Sequence, residues 1–277
     1  MTVHNAAQIE TTPAPVVVEA RDLVKRYPSG TTALKGVNFQ VSARDFIVII
    51  GCSGAGKSTL LRCLNRLLKP TSGQILLLGE DISTVSGRRL QRVRRRVGMI
   101  FQQFHLVPRL TVLENVLAGR LRFQNSPIPH TLSLARLFPA RDREHAFRCL
   151  QEVGIEDLAF QRADTLSGGQ QQRVAIARVL AQEPDVILAD EPIASLDPRS
   201  ASAVMNLLRE IHETKGIPVL VNLHHLDFVK RYAKRILGMQ KGRLVYDGPS
   251  SLLERELVER IYQGSCDMAW EALPACA

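Results

Sequence analysis

Residues 51–58 read Gly51-Cys52-Ser53-Gly54-Ala55-Gly56-Lys57-Ser58 and follow the apolar run Phe46-Ile47-Val48-Ile49-Ile50. That order is a buried strand running straight into a phosphate-binding loop. In the spacing G-x-x-x-x-G-K-S, glycines let successive backbone N–H groups turn toward one anion with no Cβ in the way. The helix that follows, patterned by Thr59-Leu60-Leu61-Arg62-Cys63-Leu64, adds the partial positive charge of its N-terminus. Gly51, Cys52, Ser53, Gly54, Ala55 and Gly56, with Thr59 behind them, are therefore the expected contacts of a nucleoside triphosphate such as ATP. Lys57 is expected to reach the β- and γ-phosphates and Ser58 to hold Mg2+. By itself this loop is open to kinases, GTPases and motors alike.

The chain of 277 residues is 45% apolar and 23% charged, which suffices for a substantial core in one large domain or two smaller ones. Its 36 lysines and arginines outnumber 27 acidic residues, and the net charge of +9 favours an anionic partner without choosing among nucleic acid, lipid surface and phosphate-bearing ligand. No window approaches the roughly 18 consecutive apolar residues of a membrane span. Residues 1–16 carry neither the basic nor the apolar region of a secretory signal, so a cytosolic chain is expected, bound to a membrane partner at most. Five scattered cysteines, Cys52, Cys63, Cys149, Cys266 and Cys276, have no C-x-x-C spacing and read as reduced thiols.

In chain order, residues 1–15 read as a flexible leader, and β-rich patterns follow at residues 16–20, 33–41 and 45–50. Short strands without intervening helices predict an antiparallel sheet beside the main one. Tyr27, in the early turn, offers a flat ring that suits adenine stacking and equally a half-exposed core position. Residues 87–96 carry six arginines, a pattern shared by solvated helix faces and by surfaces that dock on acidic partners. Gln102 ends the apolar run 97–101; it is an ordinary strand end, or a side chain placed to touch Mg2+ or an attacking water. From 103 to 165 the pattern turns helical, interrupted by a loop at 125–130, and predicts a helical subdomain inserted into a nucleotide-binding core.

Leu166-Ser167-Gly168-Gly169-Gln170 then opens a second helix with a capping serine and bared backbone, another anion-binding start or a plain N-cap. Val186-Ile187-Leu188-Ala189-Asp190-Glu191 is an unbroken buried strand ending in two carboxylates, the pattern of a parallel strand covered on both faces. Asp190 suits orientation of Mg2+, and Glu191 suits acceptance of a proton from attacking water. Residues 195–198 read as a turn, 201–214 as a helix and 217–223 as a further strand that delivers His224 and His225. Beyond residue 250 the chain reads as a helix and then an irregular tail.

These ordered segments resemble an ABC transporter ATPase subunit over about residues 16–250. The resemblance implies an α/β fold: a P-loop ATPase core with a mainly parallel sheet (16–102 and 166–249), an antiparallel β subdomain, a helical signature subdomain (103–165) and a C-terminal helix and tail (250–277). It also assigns roles: Tyr27 as the adenine-stacking aromatic, residues 51–58 as Walker A, Gln102 as the Q-loop residue and metal contact, and 166–170 as the signature. Asp190 closes Walker B, Glu191 is the catalytic glutamate, Asp197 lies in the D-loop and His224 is the switch histidine. Lys234 departs from the acid common after that histidine.

Two copies packed head to tail are implied, with ATP and Mg2+ held between the Walker motifs of one and Ser167, Gly168, Gly169 and Gln170 of the other. At a finer level residues 101–110, 118–138, 161–164, 189–198 and 221–224 are similar to the ATPases of phosphonate importers. That likeness implies integral membrane permease subunits, a periplasmic phosphonate-binding protein acting through them, a place on the cytoplasmic face of the bacterial plasma membrane, and no nucleic acid. A non-transport ABC ATPase, attached to phosphonate-degrading enzymes or to nucleic acid, is the alternative.

Overall fold

The computed structural model describes residues 14–123 and 138–262, so the leader through residue 13, the loop expected at 125–130 and the tail beyond 262 lie outside the described residues. β1 (Val16–Arg26) and β2 (Thr32–Ser42) form a long antiparallel hairpin across the turn at Tyr27 to Gly30. β3 (Phe46–Ile50) leaves that hairpin for a second sheet, and α1 (Lys57–Leu64) follows it. The chain returns with β4 (Ser72–Leu77), antiparallel to β1, and the short β5 (Glu80–Asp81), completing a four-stranded antiparallel sheet in the order β2-β1-β4-β5.

The second sheet gathers β6 (Val97–Ile100), β7 (Val186–Asp190), β8 (Val219–Asn222), β9 (Arg235–Gln240) and β10 (Arg243–Pro249) around β3, in the order β10-β9-β3-β8-β7-β6. All its pairings are parallel except β9 with β10. Every residue of β3, β6, β7 and β8 is buried, as parallel strands covered on both faces require. Period two in β3 divides the core: Phe46, Val48 and Ile50 join the helical cluster, while Ile47 and Ile49 face α1 and the antiparallel sheet. Each such side chain contributes about 1.5–3 kcal/mol on burial, so β3 is the strand both halves of the core depend on.

The helices are α2 (Gly87–Arg96), α3 (Val112–Leu117), α4 (Ala140–Glu152), α5 (Gly168–Leu180), α6 (Pro198–Lys215), α7 (Leu226–Tyr232) and α8 (Arg255–Tyr262). α5 begins at Gly168, because Ser167 and Gln170 form a capping box that satisfies its first N–H groups. α6 starts earlier than the expected residue 201, at Pro198, whose missing N–H is harmless in a first turn capped by Asp197. In the arginine-rich α2, Arg89 pairs with Glu80, Arg96 with Asp185, and Arg94 donates to the Arg66 carbonyl. Those three tie the helix down, while Arg88 and Arg92 face solvent.

Between β6 and β7, Arg120 is buried against Asp142 at 3.1 Å and reaches Glu183 and the Ala181 carbonyl. The pair joins the turn at Ala118–Phe123 to α4 and to the end of α5. No helix among the described residues is long and apolar enough to cross a membrane.

Candidate active site

β3, β8 and β7 lie side by side and parallel, so their C-terminal ends open on one rim, the edge where ligands sit in such sheets. Register pairs Asn222 with Asp190 on one side and with Ile49 on the other. The phosphate loop leaves β3 at Gly51, whose φ is 143° and where a Cβ would stand 2.1 Å from the Met239 carbonyl oxygen. At Gly56, φ is 103° and a Cβ would come within 2.5 Å of the Ala33 carbonyl oxygen. Met239 belongs to β9 and Ala33 to β2, so the loop is clamped where the two sheets meet.

Lys57, buried at the first turn of α1, donates through Nζ to the carbonyl oxygens of Gly51 at 2.6 Å and Cys52 at 3.0 Å. Residues 53–59 line a cavity of about 280 Å³ with Ala33, Glu191 and His224. The Cys52 thiol turns away from it and donates to the carbonyl of Tyr262, at the end of α8. Cys52, Cys63 and Cys149 are thiols outside any disulfide among the described residues, and burial pushes Cys63 up to about 11 and Cys149 up to about 12.

Beside the loop, the Ser58 hydroxyl donates to Asp190 Oδ1 at 2.7 Å, and Asn222 Nδ2 donates to the same oxygen at 2.9 Å. The Arg62 guanidinium stands 3.5 Å from Oδ2. A hydroxyl and a buried carboxylate in contact are hard oxygen donors, the set that suits Mg2+ when phosphates and water complete its shell. Among the described residues, no group of three or more His, Cys, Asp or Glu is arranged to hold a metal. A cation here would therefore draw further oxygens from the nucleotide. Gln102, the third expected metal contact, is exposed beyond β6 and does not line the cavity.

Glu191 follows β7 with φ at 52°, a left-handed conformation that costs a residue other than glycine about 1–3 kcal/mol. Its Oε1 lies 2.6 Å from Nε2 of His224, which puts carboxylate and imidazole together on the cavity wall. With the carboxylate ionised, Nε2 carries the proton of that bond. His225 is exposed and caps α7 without a side-chain bond.

Several expected residues stand elsewhere. Tyr27 is half-buried off the cavity wall, its hydroxyl 3.1 Å from Thr59 Oγ1 and its ring 5.5 Å from the Lys25 ammonium. Ser167, Gly169 and Gln170 line a second cavity of about 410 Å³ with Asp157, Arg173 and Ser200, sharing no residue with the first. Gly168 packs near Leu196. Asp197 caps α6, and hydrogen bonds from Ser200 and from the Arg199 N–H hold its carboxyl below the ordinary range.

Two residues at these sites escaped the sequence reading. Arg178 of α5 donates to the carbonyls of Phe104 and His105, binding the helix that starts at Ser167 to the segment just after Gln102. Beside it, Leu67, Met99, Phe101 and His105 line a groove of about 240 Å³. The other is Asn222, whose one signal is a lone polar residue inside the apolar run 219–223.

The family model described as ABC transporter matches residues 34–194. A phosphonates import ATP-binding protein of Halalkalibacterium halodurans is 49% identical over 246 residues, covering 89% of this chain and 94% of the relative. One from Bacillus thuringiensis subsp. konkukian is 51% identical over 232 residues, covering 84% and 89%. Among solved structures, the dimeric post-hydrolysis ATP-binding cassette MJ0796 bound to ADP and Pi is 34% identical with a TM-score of 0.72, covering 84% of this chain and 98% of that one. A nucleotide-free ATP-binding cassette from an ABC transporter is 30% identical with a TM-score of 0.78, covering 90% and 100%.

Proposed function

Because the chain belongs to the ABC transporter family, as an ATPase whose hydrolysis is coupled to transport, we propose that its cargo is a phosphonate, or a phosphite- or phosphate-like oxyanion, imported through a separate permease. The observation that carries this reading is likeness to phosphonates import ATP-binding proteins along nearly the whole chain. The protein would act at the cytoplasmic face of the bacterial plasma membrane, with a periplasmic binding protein delivering the ligand to the permease.

In this reading the site needs two copies. The phosphate loop and the Ser167–Gln170 segment line different cavities of one chain, which supports a head-to-tail pair in which each completes the other's site. Lys57 exchanges its carbonyl partners for phosphate oxygens, and Ser167, Gly168, Gly169 and Gln170 grip the γ-phosphate from across the interface. Ser58 and Asp190 would hold Mg2+, which when bound neutralises developing charge on the phosphates. Glu191 accepts the proton of the attacking water, and His224 keeps that carboxylate at the cavity wall. Tyr27 would meet adenine with its ring, and Asp197 contributes from the start of α6.

The helical subdomain at 103–165 and Gln102 pass motion to the permease. The groove beside Gln102 is a fitting contact, because Arg178 ties it to the helix that carries Ser167. The test uses bacteria that lack their own phosphonate-import ATPase and grow on methylphosphonate as the only phosphorus source. The chain with its permease should restore growth and Glu191→Gln should not. Recovery of soluble lyase subunits from membrane extracts, in place of a multi-span permease, overturns the reading.

A further inference from the structure

Asn222 ends β8 with 0% of its surface exposed. Sheet register sets it beside Asp190, and its Nδ2 donates to Asp190 Oδ1 at 2.9 Å while lying 3.5 Å from Ser58 Oγ. Chemistry dictates the amide's orientation, since Oδ1 turned toward the carboxylate would face one acceptor with another. That orientation leaves Asn222 Oδ1 buried with no hydrogen-bond partner among the described residues. An unmet buried acceptor costs about 1–3 kcal/mol. A leucine, with the same number and branching of side-chain heavy atoms, would avoid that cost among Val219, Leu220, Val221 and Leu223. Folding alone therefore gives little reason for an amide here.

The other groups around Asp190 hold it less firmly. Ser58 must share its one hydroxyl oxygen between the carboxylate and a cation, and Arg62 is half-exposed and 3.5 Å away. Among the described residues, Asn222 alone reaches the carboxylate from the interior of the sheet. We propose that Asn222 is a positioning residue for the cation site, holding the Asp190 carboxylate in the orientation in which it and Ser58 face a magnesium ion together. The inference rests on reading Ser58 and Asp190 as cation oxygens.

The test is Mn2+ affinity, followed by electron paramagnetic resonance on the full chain with ADP, with metal-free ADP binding as the control for folding. Asn222→Leu should bind ADP alone as the natural protein does, and bind Mn2+ roughly tenfold more weakly, the usual effect of losing a partner behind a metal ligand. Asn222→Thr keeps a donor on the strand and should recover most of that loss. Mn2+ affinity in the leucine variant within about twofold of the natural protein overturns the inference. If that variant does not fold, Asn222→Ala replaces it, and equal affinities in the alanine and threonine variants overturn it as well. Absence of nucleotide-dependent Mn2+ binding in the natural protein defeats the underlying reading of Ser58 and Asp190, a distinguishable result.

Discussion

Nε2 of His224 stands 2.6 Å from Oε1 of Glu191, joining the ends of two adjacent parallel strands. Glu191 holds a strained backbone conformation there, and the bond aims its carboxylate.

Glu191→Gln should keep ATP binding and lose about 10²–10⁴-fold in turnover, the usual contribution of a placed general base. His224→Ala should lose turnover as well, and the double variant should lose little more than Glu191→Gln alone, because residues acting as one unit are not additive. Steady-state ATPase rates with an ATP-binding control decide the matter. Normal turnover in Glu191→Gln removes the assigned base.

The two-copy site can be tested by mixing variants. Lys57→Ala disables the phosphate loop and Ser167→Arg the segment proposed to meet it from the second copy. Each should be inactive alone, yet a mixture should regain ATPase activity, since one of the two sites in a mixed dimer is intact. A mixture as inactive as its components would place the whole site within one chain.

Asp197 gives a pH signature. Hydrogen bonds from Ser200 and the Arg199 N–H lower its folded-state pKa below the ordinary 3.8. The unfolded chain then binds more protons in acid, so the stabilisation is present above 3.8 and fades as pH falls through the lower folded value. Urea unfolding should find the natural protein more stable than Asp197→Asn near neutrality, with the gap closing as the pH is taken below 3.8. A gap that widens in acid contradicts this account.

Much of the fold was legible because its signals are local. The run 46–50 and the loop after it announce a buried strand and its turn, and Ser167 with Gln170 writes a capping box in four residues. What escaped the sequence is set by distance along the chain. Arg120 meets Asp142 across 22 positions and Arg178 meets His105 across 73, pairings no period or motif encodes. Asn222 is intermediate. Its polarity inside an apolar run is a signal present in the sequence, but its purpose shows only where strand register brings Asp190 alongside.

At Gly51 and Gly56 the phosphate loop is pressed against main-chain oxygens from β9 and β2. Its path is thus settled during folding, and little ordering entropy remains to be lost when an anion arrives. A loop so confined is a poor hinge. Conformational work during the ATPase cycle should fall to the bodies around it, with residues 51–56 as the fixed point against which they turn.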